Sequence, residues 1–145
     1  MKKQNFRQGF YVPKNPEKYR HSIFSLTENE GLKNRIKYRS SWELKFFVWC
    51  DTNENVKWWS SEPFGIDYFN PISEKKAKYY PDVFLEYYDQ KYLIEIKPQK
   101  EIYNPKNAYD MMAKIVNEAK FEAAKKYCDS NDIRFALLTD ITLFK

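Results

Sequence analysis

No apolar run in this 145-residue chain approaches the roughly 18 residues that a membrane-spanning helix needs, and the mean hydropathy is −0.80. The first residues, MKKQNFRQGF, are basic, but no apolar segment follows them, so the start does not read as a secretory signal. Glycine occurs three times and proline seven, which excludes collagen-like or glycine-rich low-complexity chains. Two widely separated cysteines, Cys50 and Cys128, supply neither a disulfide framework nor the close spacing of zinc and redox motifs. They read as buried free thiols in a reducing cytoplasm. A single histidine, His21, leaves histidine-based catalysis and Cys/His zinc sites poorly supplied.

What the chain does have is apolar and aromatic material, 43% hydrophobic and 19% aromatic, enough for one core at a common single-domain length. Its net charge of +5 is unevenly spread. Residues 1–50 hold eleven Lys/Arg against four acids, a net +7, and the remainder fourteen against sixteen, a net −2. A basic front joined to an acid-bearing body suits a protein that attracts a polyanion and sets carboxylates against it.

Residues 1–35 lack periodicity and mix bases, prolines and aromatics such as Phe10, Tyr11, Pro13 and Tyr19. They read as an extended basic N-terminal arm before one domain over residues 36–145. Residues 40–50 are expected to form a helix, with Ser40 as N-cap and Glu43 three positions on. Residues 56–60 read as a strand, 64–69 as its continuation in the same sheet, and 70–79 as a basic loop. Two β-rich runs, YYPDVFLEYY and KYLIEIKP, flank Asp89-Gln90 and predict a hairpin turning there. Residues 107–128 predict a helix buried along Met112, Ile115, Ala119, Ala123 and Tyr127, followed by a strand at 133–140. This order implies an α/β fold, a mixed β-sheet flanked by helices.

The hairpin carries the chemistry. Alternation puts Glu95 and Lys97 on one face of the second strand. With the turn at Asp89-Gln90, Asp82 falls opposite Lys97, and Glu95 falls opposite Phe84, diagonal to Asp82. Two carboxylates at short range repel each other unless a cation lies between them, and their hard oxygens suit Mg2+. Such an ion polarises a phosphate oxygen and acidifies a bound water, while a neighbouring lysine orients that water or offsets charge. A Glu-x-Lys on a strand is more often a solvated edge pair. Here apolar neighbours (Leu93, Ile94, Ile96) and Pro81-Asp82 on the partner strand favour chemistry.

Pro81-Asp82 followed by Glu95-Ile96-Lys97 resembles the signature of the PD-(D/E)xK nuclease superfamily. The ordered segments YRSSWELKFF, VKWWSSE, YYPDVFLEY, YLIEIKP and NEAKFEAAKKYC are similar to the head-completion nucleases of T-even-like bacteriophages. A more distant likeness is to the TnsA-like endonuclease core. The resemblance implies a restriction-endonuclease-like core and a metal-dependent DNA endonuclease that trims packaged phage DNA ends during head completion. It implies Asp82, Glu95, Glu43 and the Ile96 carbonyl as ligands of Mg2+, with Mn2+ able to substitute, and Lys97 acting on the attacking water. Glu43 keeps a second reading, as partner of Ser40 in a capping box worth about 1 kcal/mol. Arg39, Ser41, Asn117 and Lys120 are the candidate DNA contacts, each also readable as plain surface. The implied partners are double-stranded DNA and phage head, portal or neck proteins, with no membrane. The implied location is the host cytoplasm during assembly, or the virion. The alternative is a structural head-completion protein that docks at the portal and uses a nuclease fold as an adaptor.

Overall fold

A computed structural model describes residues 8–20, 35–97 and 106–139. Its elements are β1 (Gly9–Tyr11), β2 (Ile36–Tyr38), α1 (Ser41–Thr52), β3 (Val56–Ser61), β4 (Ile66–Asn70), β5 (Lys75–Tyr79), β6 (Val83–Tyr87), β7 (Gln90–Ile96), α2 (Ala108–Ser130) and β8 (Ile133–Leu138).

The central sheet has the order β3-β6-β7-β8. Its first three strands are antiparallel, and β7 and β8 run parallel. The sheet is therefore mixed, as expected. Parallel neighbours need a crossover, and α2 lies between β7 and β8 in the chain. Alternation along the strands divides the interior in two. Val83, Leu85, Ile94 and Ile96 join Phe46, Phe47 and Cys50 of α1 on one side. On the other, Leu93 packs with Ala124 and Cys128 of α2, Ile133, and Ile66 and Tyr79. Fully buried side chains of this size, Trp59 and Phe47 among them, each contribute on the order of 2 kcal/mol.

Both helices begin on side-chain caps. The Ser40 hydroxyl accepts the Glu43 amide at 3.2 Å, and the Asn107 side chain accepts the Asp110 amide at 2.8 Å. The buried stripe of α2 follows the expected one at Ala123 and Tyr127, which pack against the core, but not earlier in the helix. Met112 and Ile115 are exposed, while Ala124 and Cys128 are buried and Phe121 packs beside them. Only the second half of α2 covers the sheet.

Two further expectations are corrected. Residues 64–69 do not continue the main sheet, and 70–79 are not a loop: β4 and β5 form a separate two-stranded ribbon. Lysine-rich β5 has weak strand propensity, and cross-strand pairing with β4 supplies what the local sequence does not. The hairpin turn is also displaced. Tyr87 pairs with Gln90, so Tyr88-Asp89 forms the turn, both with positive φ (50° and 65°). Two left-handed residues suit the twist of a two-residue hairpin but usually call for Asn or Gly. Here tertiary contacts compensate. The Tyr88 amide donates to the Asn55 carbonyl at 3.2 Å, and Lys57 pairs with Asp89 at 2.6 Å. The ladder slides by two residues, Val83 pairs with Ile94, and Asp82 comes level with Glu95 instead of Lys97. An even shift leaves every side chain on its original face.

N-terminal residues 8–20 lie against this body. β1 pairs with β2, and the Arg20 amide donates to the Trp59 carbonyl at 2.8 Å. Asp51, fully buried in α1, is the main fastening. Its carboxylate accepts the Tyr11 hydroxyl (2.5 Å) and the amides of Lys14 (2.7 Å) and Asn15 (3.0 Å).

Candidate active site

Asp82 stands just before β6, where the chain comes in from the ribbon. Its amide donates to the Ile94 carbonyl at 3.1 Å, and its carbonyl accepts the Glu62 amide at 2.9 Å. With the backbone held on both sides, Oδ2 accepts the Ile96 amide at 2.8 Å. Glu95, on β7, is 6% exposed, and its Oε1 accepts the Tyr79 hydroxyl at 2.5 Å. Its Oε2 lies 3.9 Å from Lys97 Nζ. Lys97 follows β7 directly and is tied to β8 through its amide, 2.9 Å from the Leu138 carbonyl. Its side chain keeps 26% exposure, so the ammonium sits at the mouth of the cluster.

Glu43 joins from the first turn of α1. Its carboxylate accepts the Arg39 amide at 2.8 Å while its own amide donates to Ser40. The Ser40 cap forms, but the Glu43 carboxylate takes the Arg39 amide instead of the Ser40 amide of a capping box, and it stands within electrostatic range of Asp82, Glu95 and Lys97.

Crowding buried acids together has the expected electrostatic result. Burial raises the Asp82 carboxyl well above the usual carboxylate range, and the charges of Glu95 and Glu43 push the same way against the Ile96 amide and Lys97. Glu95 is raised by burial and by Glu43, opposed by the Tyr79 hydroxyl, Lys97 and Lys120. Burial also raises Glu43; Glu62 adds to the shift, and the Arg39 amide opposes it. Lys120 is lowered, by burial first and then by Lys97.

The candidate DNA contacts are placed unequally. Lys120 faces the cluster, with Nζ 5.9 Å from the Tyr79 ring centroid and within range of Glu95. Asn117, one turn earlier, lines an adjoining cavity of about 350 Å3 between the ribbon tip and α2. The Arg39 guanidinium is forked onto Glu62 at 3.0–3.2 Å. Ser41 is the first residue of α1 and half-buried.

Among the described residues, no three His, Cys, Asp or Glu side chains stand close enough to hold a metal ion. Each acid has turned one oxygen to a protein donor: Asp82 to Ile96, Glu95 to Tyr79 and Glu43 to Arg39. The donor set nevertheless fits a hard divalent cation, because it offers carboxylate oxygens whose mutual repulsion such an ion would relieve.

Residues 53–140, more than half of the chain, match the family described as TnsA-like endonuclease N terminal. The chain belongs to this family. It is also 34% identical, over an alignment of 145 residues, to the head completion nuclease of Enterobacteria phage T4, covering 91% of this chain and 90% of that protein. The TnsA-like region includes Asp82, Glu95, Lys97, Asn117 and Lys120, whereas Arg39, Ser41 and Glu43 precede it. As a TnsA-like endonuclease, the chain is a nuclease of the PD-(D/E)xK type.

Two residues of this cluster escaped the sequence reading. Tyr79 stood there only as the end of a basic loop and the start of a β-rich run, although its place three residues before Asp82 makes it a neighbour of the site. Glu62 carries a left-handed backbone (φ 47°), a strain that no sequence pattern announces.

Proposed function

We propose that this chain is a divalent-metal-dependent endonuclease that hydrolyses phosphodiester bonds in duplex DNA, trimming packaged ends as a phage head is completed. The observation that carries the proposal is the meeting of Asp82, Glu95 and Lys97 at one end of the β6–β7 hairpin, with both carboxyls raised by burial and repulsion. The head-completion setting is carried over from the T4 relative. Work in the host cytoplasm on DNA, alongside phage head proteins, follows from that setting.

Asp82, Glu95, the Ile96 carbonyl and Glu43 would hold the ion, Mg2+ or Mn2+. Once bound, it offsets charge on the scissile phosphate and acidifies the attacking water. The protein's own groups do the positioning. Tyr79 fixes Glu95 Oε1, and the Ile96 amide fixes Asp82 Oδ2, so the remaining oxygens keep a constant direction. Lys97, partly open to solvent, orients the water, whose proton passes to solvent, while Lys120 adds positive charge from α2. The water oxygen forms a bond to phosphorus, one P–O ester bond breaks, and the leaving oxygen is protonated from solvent. Arg39 binds the DNA backbone after exchanging Glu62 for a phosphate.

Incubating supercoiled plasmid with the protein in Mg2+, with EDTA as control, tests this reading. Nicking and linearisation are expected only with the metal, and neither with Asp82→Ala. The adaptor alternative is judged by the same variant: an Asp82→Ala protein that completes heads at the normal level would make catalysis irrelevant to assembly.

A further inference from the structure

The β4–β5 ribbon lies outside the four-stranded sheet and is anchored at its base. Ile66 and Tyr79 pair there, both buried, and Tyr79 holds Glu95. From that pair the strands run five residues to the tip, about 17 Å. The tip at residues 71–74 is firmly built. Asn70 Oδ1 accepts the amides of Ile72 (2.9 Å) and Ser73 (3.1 Å), and the Glu74 amide closes on the Asn70 carbonyl at 2.7 Å.

Alternation gives the ribbon two faces. Ile66, Tyr68 and Tyr79 turn towards the core beneath α2. The other face presents the cross-strand pairs Asp67–Lys78 and Phe69–Lys76. Lys78 is paired with Asp67 at 2.7 Å. Lys75 and Lys76 are exposed and, among the described residues, form no ion pair; Phe69, opposite Lys76, is 56% exposed. Lysines on a strand edge often serve only to prevent pairing with another chain. An exposed phenyl ring opposite Lys76 works against that purpose. A ring beside a cation fits a ligand that alternates apolar surface with closely spaced anions.

We propose that the outward face of the β4–β5 ribbon, through Phe69 and Lys76, seats in a groove of duplex DNA and delivers the adjoining strand to the acid cluster at the ribbon's base. The inference rests on the nuclease reading. Two-stranded ribbons fit DNA grooves, and apolar side chains wedge against base steps there. A ribbon of about 17 Å spans the rise of about five base pairs, so one end can grip while the other meets the scissile phosphate.

Fluorescence anisotropy of a labelled duplex, titrated with the full-length protein in EDTA across a salt series, reads the grip without cleavage; plasmid cutting in Mg2+ runs in parallel. For Lys76→Ala, the slope of log affinity against log salt is expected to become shallower by about 0.9, one phosphate contact. Phe69→Ser is expected to weaken binding roughly tenfold with the slope unchanged, the loss of one apolar contact worth about 1.4 kcal/mol. If the wild type binds and cuts while both variants match it in slope and affinity, the ribbon is not the grip. Variants that bind and cut normally but fail to complete heads would also overturn the proposal, because the ribbon would then dock on a protein. A wild type that neither binds nor cuts DNA removes the nuclease reading itself, and the ribbon's role with it.

Discussion

Tyr79 joins the ribbon, the core beneath α2 and the acid cluster through one side chain. Burial and the neighbouring Glu95 charge hold its phenol far above its ordinary pKa, so it remains a donor at every working pH. Tyr79→Phe removes one oxygen and leaves the ring in place. We expect the fold to survive and the affinity for Mn2+, or the single-turnover cleavage rate, to drop by about 10–100-fold. Calorimetric titration with Mn2+ beside a thermal melt checks both halves, and wild-type metal affinity in the variant would remove Tyr79 from the positioning role. The two thiols are the opposite kind of residue, buried without chemistry. Burial raises Cys50 well above its ordinary value and Cys128 to about 11. A pKa raised on folding stabilises the protein below the unfolded value near 9, and this contribution is lost as pH climbs towards 11. Native protein at pH 8 should therefore resist a thiol reagent that labels both cysteines after unfolding. Rapid labelling of the native protein would contradict that burial.

Elements here are held by a few polar fastenings as much as by apolar packing. α1 serves two: its N-terminus presents Glu43 to the site, and its C-terminal half receives residues 11–18 on Asp51. In Asp51→Ala three donors lose their acceptor in a buried place, a loss of about 3 kcal/mol. A protein of this size should then melt roughly 10 °C lower. Differential scanning calorimetry decides it, and a change of only a degree or two would show that water replaces the carboxylate. α2 ends at Ser130 with Asn131 as its C-cap, and the next residue, Asp132, is left-handed (φ 57°) and exposed. Asp132→Gly should raise stability by about 0.5–1 kcal/mol, because glycine carries no Cβ penalty in that conformation. Chemical denaturation would register it as a higher midpoint with an unchanged slope.

At the scale of the whole molecule, the cluster is a place where activity and stability oppose each other. Asp82, Glu95 and Glu43 repel one another among apolar neighbours, a cost that one hydrogen bond to each offsets only in part. Asp82→Asn keeps the shape and removes one charge. In metal-free buffer it should melt at a higher temperature than the wild type while losing cleavage. Adding Mg2+ should raise the wild-type melting temperature in proportion to the logarithm of the ion concentration, and the variant's hardly at all. Equal metal shifts in both proteins would place the ion elsewhere.

The sequence by itself determined what depends on neighbours along the chain. Ser40, with Glu43 three residues on, specified the start of α1. The period-2 runs either side of residue 89 specified the hairpin, and with it the face that Asp82, Glu95 and Lys97 share. Sequence likeness likewise carried the family, later met in the match over residues 53–140. Tertiary structure decided what depends on residues far apart. The hairpin turns at Tyr88-Asp89 because Asn55 and Lys57, thirty residues away, satisfy a turn that tyrosine would not choose. Residues 75–79 become a strand because β4 offers them a ladder. The Tyr79–Glu95 and Arg39–Glu62 contacts form where separate segments meet. A side chain's face follows from its own position in a strand, but its partner is set by how far two strands have slid. That is settled only by the energy of the whole fold.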